Sequence, residues 1–232
     1  MTSASSACPS VDFRFGPASL RSCSCAVRSA AAPALLACTA TAGRSEAGPS
    51  ALVPRGKCNV RNTHERWWPV APEKVGPLLD SLASEDDRLW PVDDWPPMTF
   101  DRPLGVGATG GHGSMTYTVV AYTPGRMVTF ELTPGLGLRG HHRFVVEPQT
   151  RGGHAGTVVR HEASARVHGR MVWMWPLITR WVHDAVVEDA LDRCHRELMG
   201  APPERPARWS PWVRRLRVKR GLPAERSAPR EA

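Results

Sequence analysis

Hydrophobic and polar positions alternate in short runs from residue 114 to residue 168, then change to steps of three and four after Met171. The alternating runs, 114–122, 126–133, 140–148 and 156–168, have the period of strands with one buried face. Pro124 with Gly125, Pro134 with Gly135, and Arg151 to Gly153 separate them at hairpin spacing, which predicts consecutive antiparallel strands. The longest helical pattern is 171–199. It opens densely apolar (Met171, Val172, Trp173, Met174, Trp175, Leu177, Ile178, Trp181, Val182) and settles into Val187, Leu191, Cys194 and Leu198. At 1.5 Å per residue it would span about 43 Å, enough to cross a small sheet. Pro176 opens or kinks it, and Gly200 with Pro202 stops it.

Upstream, 57–68 reads as a first strand ending in Trp67 and Trp68. Pro72 starts a helix through Val75, Leu78, Leu79 and Leu82. Ser84 with Asp87 resembles a capping box and predicts a second short helix over 85–90; 98–104 reads as a short strand. The predicted class is therefore α+β: a curved antiparallel sheet with one apolar face, covered by the long C-terminal helix, with two short helices near the start of the domain.

Composition divides the chain. Of 232 residues 41% are hydrophobic, ample for one core, but the 20 Gly and 22 Pro exceed what one uniformly packed domain uses. The net charge of +8 resolves into +3 for 1–56, −1 for 57–199 and +6 for 200–232. A near-neutral middle argues against nucleic-acid binding by the folded domain. Residues 1–56, rich in Ala, Ser, Pro and Gly without a period, read as a disordered N-terminal extension. Two sharper readings are a transit peptide, from the Arg- and Ser-rich, acid-poor composition, and a lipoprotein cleavage site imitated by Leu35, Leu36, Ala37 and Cys38; Pro33 interrupts the apolar run before it. With four of six Cys in that segment and Cys194 on the apolar side of a helix, a reducing, cytoplasmic setting is favoured. The basic, Pro-rich stretch 200–232 reads as a solvated tail. A helical piece within 209–220, with Trp212, Val213 and Leu216 on one side, gives an alternative: docking on an anionic membrane surface.

Candidate chemistry is sparse. Gly105, Gly107 and Gly110 have GxGxxG spacing, but they run into a strand pattern where a dinucleotide site needs a helix, so they read as a turn or bulge and no cofactor is implied. Period two places His161 with Val159, Ala163 and Val167, and His142 with Phe144 and Val146, both inward. Inward imidazoles need partners: each other, His183 on the helix, water or a ligand. No converging set of ligands marks a metal site. Asp184 directly follows His183 and so points about 100° away, which argues against a triad with Ser114 or Ser164. Sheet, helix and ring side chains together predict an apolar cleft with few polar handles, lined by Tyr117, Phe130, His142, His161, Trp181 and His183.

The element order, together with Trp67 and Pro69, the 90–97 linker, Gly110 to Tyr117, Pro124 to Phe130, Gly140 to Val146 and His183 to Leu191, resembles the START-like (SRPBCC) superfamily with its helix-grip fold. That resemblance covers 57–199 and implies a cavity between sheet and helix for an apolar small molecule such as a lipid or polyketide. Its polyketide cyclase members imply a second reading, ring closure with His161 or His142 as acid or base. Neither the 1–56 extension nor the basic tail lies within it.

Overall fold

Each hairpin signal sits between paired strands. The computed structural model describes residues 59–227; the extension with its two targeting readings, and Cys58, lie outside the described residues. Seven strands, β1 (Asn59–Trp68), β2 (Met98–Phe100), β3 (Thr109–His112), β4 (Met115–Thr123), β5 (Met127–Leu132), β6 (Leu138–Arg151) and β7 (His154–Val167), form one antiparallel sheet ordered β1-β7-β6-β5-β4-β3-β2. From β2 onward each strand pairs with its successor, and β1 returns to pair with β7. A register shift between Val119 and Ala121 marks a bulge in β4, a device that bends strands. Val128, Phe130, His142, Phe144, Val159 and His161 are all buried, as the alternation predicts; in β4, where either face would serve, Tyr117 and Val119 are the buried ones.

The helical pattern at 171–199 is interrupted. Helix α2 (Met171–Met174) passes through a π-helical turn (Trp175–Thr179) into α3 (Arg180–Met199). The Arg180 N–H reaches back to Trp175 O, so the wider turn forms beside Pro176, which has no N–H to give. Gly200, at φ 67°, closes α3 in the left-handed conformation glycine favours. Val187, Leu191 and Cys194 face the core; Cys194 is free and buried. The apolar opening does so only in part: Met171 is buried, but Trp173 and Leu177 are 70% and 60% exposed. A curved antiparallel sheet gripped onto a long C-terminal helix is the helix-grip architecture the resemblance implied.

Several expectations are corrected. Helix α1 (Pro72–Asp80) forms, but 85–90 is a loop. The Asp87 carboxylate accepts from the N–H groups of Ala83, Leu89 and Trp90, satisfying the backbone without a helix. The strand expected over 98–104 stops at Phe100. The glycine segment is not a turn throughout, because Gly110 lies within β3, opposite Phe100 and Tyr117. A Cβ there would stand 2.0 Å from Thr99 O, so the glycine permits strand approach and no phosphate is needed to explain it. Gly110→Ala is expected to destabilise the protein by about 1–3 kcal/mol through this overpacking. Unchanged thermal unfolding of that variant would contradict the strand explanation.

The larger correction concerns the tail. Residues 200–227 are not a solvated appendage: α4 (Pro211–Val218) buries Val213, Leu216 and Arg217 against the domain, within the same compact unit. Ser210 caps it, its hydroxyl accepting from Val213 N. Trp209 and Trp95 meet edge to face at 5.8 Å, and both donate to the buried Asp189 carboxylate at 2.7 Å. The Arg217 guanidinium lies 3.8 Å from the Trp209 ring centroid and 4.5 Å from that of Trp95. Two of the three apolar residues offered to a membrane are thus used in packing. Among the described residues no helix is long and apolar enough to cross a membrane.

Candidate functional site

The sheet-to-helix layer is built of rings. Strand pairing sets Phe130 opposite His142 and Phe144 opposite His161. Ring centroids then follow one another closely: Phe100 to Phe130 6.0 Å, Tyr117 to Phe130 5.0 Å, Tyr117 to His142 4.8 Å, Phe130 to His142 4.9 Å, Phe144 to His161 4.6 Å. The helix supplies His183, 5.0 Å from the His161 ring and 6.2 Å from that of Trp175. Sheet and helix are therefore bridged by rings in direct contact, and the hollow expected between them is occupied there by side chains.

This layer contains polar atoms that its apolar walls leave unsatisfied. Tyr117 Oη, His161 Nδ1 and His183 Nδ1 are buried without a hydrogen-bond partner among the described residues. His142 Nδ1 and His161 Nε2 are 3.3 Å apart and share one proton, leaving the second nitrogen of His161 orphaned. Burial pushes both imidazoles well below their usual range, with the neighbouring His183 ring adding to the shift and itself lowered by burial, so they are neutral at pH 7. Burial likewise raises the Tyr117 phenol, keeping it protonated. A neutral phenol and two neutral imidazoles, with successive ring centroids 4.8 Å and 5.5 Å apart, can donate and accept hydrogen bonds.

Beside the rings runs a polar ladder. The β1–β7 register sets His64 opposite His161, so Asn62, His64 and Arg66 face the helix. There they meet Asp184, Glu188 and Asp192, which lie on one side of α3 at steps of four. Asn62 Nδ2 donates to Asp184 Oδ1 at 2.6 Å; His64 bonds Glu188 Oε1 at 2.7 Å and Asp184 Oδ1 at 3.2 Å; Arg66 reaches Asp192 at 2.6 Å and Glu188 at 2.9 Å. Burial opposes a charge on His64, but the bonds and charges of Asp184 and Glu188 together raise it to about 9. Asp184 and Glu188 are lowered despite burial, by His183, His64, Asn62 and Arg66.

Of the residues expected to line the cleft, the structure brings together Tyr117, Phe130, His142, His161 and His183. Trp181 stands apart: it is 40% exposed, its Nε1 donates to Pro176 O, and Arg180 lies over its ring. Two positions from His183 on a helix is about 200° of rotation, which turns it outward. Residue patterns alone do not reveal the ladder. Its signal is there, a period-two polar run at 62, 64 and 66 and a period-four acidic stripe at 184, 188 and 192, but neither half identifies the other.

No protein-family model and no curated protein matches the sequence. Solved structures do resemble the fold. Truncated norcoclaurine synthase from Thalictrum flavum is 13% identical, covering 62% of this chain and 95% of its own, with a TM-score of 0.47. CalU16 from Micromonospora echinospora is 16% identical, covering 73% and 88%, with a TM-score of 0.43. The Aha1 dimer from Colwellia psychrerythraea is 19% identical, covering 61% and 98%, with a TM-score of 0.39. With identities under 20% and TM-scores under 0.5, these likenesses assign no role to this chain.

Proposed function

We propose that this protein binds an apolar, ring-bearing small molecule in the layer between the sheet and α3, with Tyr117, His142 and His161 meeting its polar group. The observation that carries the reading is the pair of buried orphan atoms, Tyr117 Oη and His161 Nδ1, within an aromatic surround. Leaving such groups unpaired costs about 1–3 kcal/mol each, which a ligand hydroxyl or carbonyl would recover. Because rings occupy the layer, a ligand enters by displacing some of them. The π-turn bearing Trp175 has no fully buried residue, which makes it the least costly part to move. A norcoclaurine synthase structure is described in complex with dopamine and hydroxybenzaldehyde, compounds of the same aromatic, hydroxylated class.

The test is native mass spectrometry for a co-purified apolar compound, with thermal-shift screening of phenols and polyketide-like aromatics. Tyr117→Phe separates the roles of the hydroxyl. The ligand-free protein should keep or gain stability, by up to about 1–3 kcal/mol, because an unpaired buried group is removed; ligand affinity should fall roughly tenfold through the lost hydrogen bond. Equal stability loss with and without ligand would remove the basis for the reading. An acid–base role for His161 or His142 in ring closure is a second reading, favoured by their neutral state and shared proton; His161→Ala would then abolish turnover while a pure binder retains most affinity.

For the surface-docking reading, the relevant residues shift. Trp173, Leu177 and Trp212 are exposed around the π-turn, where Trp212 Nε1 donates to Leu177 O, and Arg214 and Arg215 on α4 and Lys219 and Arg220 just after it are exposed. Vesicle flotation with and without anionic lipid tests it, and unchanged binding of Leu177→Ser would dismiss it.

A further inference from the structure

We infer that His64, His183 and Asp184 form a binding site for a divalent transition-metal ion of the zinc class. The inference does not depend on a ligand in the ring layer. The three side chains offer ligand atoms that all lie within 4.8 Å of one another, drawn from β1 and from adjacent positions of α3. Asp184 Oδ1 is 3.2 Å from His64 Nε2 and 3.9 Å from His183 Nδ1. In a tetrahedral site with bonds of about 2.0–2.1 Å, ligand atoms stand roughly 3.3–3.4 Å apart, so side-chain rotation closes the set.

Two features distinguish this cluster from an ion pair alone. His183 Nδ1 is buried without a hydrogen-bond partner among the described residues; its ion-pair neighbour Asp184 Oδ1 stands 3.9 Å away, beyond hydrogen-bond distance. An ion pair of His64 with the two carboxylates leaves that nitrogen unused; a metal ion gives it a bond. Second, the other nitrogen of His64 already bonds a carboxylate, Glu188 at 2.7 Å, which Arg66 in turn holds at 2.9 Å. A carboxylate behind a ligating imidazole fixes its tautomer and orientation, and it is the usual support of histidine–metal sites. Asn62 steadies Asp184 in the same way.

The donor set, two imidazoles and one carboxylate, suits zinc, cobalt, nickel or iron(II) over magnesium or calcium. Three protein ligands leave a fourth position for water or a ligand oxygen. Charge is compatible, since Asp184, Glu188 and Asp192 face Arg66 and Arg180.

The test uses the full chain, stripped with a chelator, then titrated with Zn²⁺ by calorimetry and with Co²⁺ by visible absorption. Expected are one ion per chain with micromolar or tighter affinity, cobalt d–d bands without thiolate charge transfer, and losses of about tenfold or more in Asp184→Asn and in His183→Gln. His154→Gln, exposed on β7, should bind as the parent does. Should a variant fail to fold, Zn²⁺ added to the unmodified protein should shift the imidazole resonances of His64 and His183 and leave those of His154. Absence of saturable binding, equal affinity in Asp184→Asn and His183→Gln, imidazole resonances unmoved by Zn²⁺, or a cobalt spectrum dominated by cysteine thiolate would each overturn the inference.

Discussion

Asp189→Ala is expected to lower the unfolding free energy by about 3–5 kcal/mol and to release residues 201–227 from the domain. The carboxylate is 4% exposed and accepts from Trp95 Nε1 and Trp209 Nε1, each at 2.7 Å, while also pairing with Arg226. Truncation leaves three donors in a desolvated site, and the stack of Arg217 on both indoles loses the anion beside it. Denaturant unfolding reads the stability, and hydrogen exchange or trypsin cleavage after Arg208, Arg214 and Arg215 reads the release. Protection unchanged in the variant would show that Val213 and Leu216 hold the segment without Asp189.

The same carboxyl has a distinctive pH signature. Burial raises it to about 6, against the indole donors and Arg226. The folded protein therefore takes up this proton more readily than the unfolded chain, so this group's share of stability grows as pH falls from about 7 toward 4. Asp184 and Glu188 act with the opposite sign, since lowered carboxyls lose their contribution as pH falls. Comparing melting temperature against pH for the parent and Asp189→Asn isolates the first effect; parallel curves would refute it.

Phe130→Ala should cost about 3–5 kcal/mol, the range for removing a large buried ring. Phe130 is fully buried, stacked between Phe100 and His142 and in contact with Tyr117. The loss opens space beside the Tyr117 hydroxyl and the His142 ring. A small phenol should therefore raise the variant's melting temperature more than the parent's, as apolar cavities take up matching ligands. A cost near 1 kcal/mol with no phenol response would mean that the layer collapses to fill the gap.

These expectations locate where residue patterns suffice. The inward set Val128, Phe130, His142, Phe144, Val159 and His161 follows from strand geometry alone, because successive side chains take opposite faces and one face is buried. Gly200 ends α3 for an equally local reason, its left-handed φ. The loop at 85–90 is a local misreading: Asp87 competes for backbone N–H groups through its own side chain, and the capping-box pattern resembles that outcome.

Periodicity along the chain thus decided strands β1 and β4 to β7, the gripping helix, the buried faces of β5 to β7 and four of the sheet's inward-facing ring residues, since each depends on backbone geometry over a few residues. Long-range pairing decided the rest. Only the register of β1 on β7 brings Asn62, His64 and Arg66 to Asp184, Glu188 and Asp192, more than a hundred residues away. Only docking onto Trp95 and Asp189 turns a basic amphipathic stretch into part of the core. A short segment states which face is apolar, but what covers that face depends on surfaces assembled from distant parts of the chain.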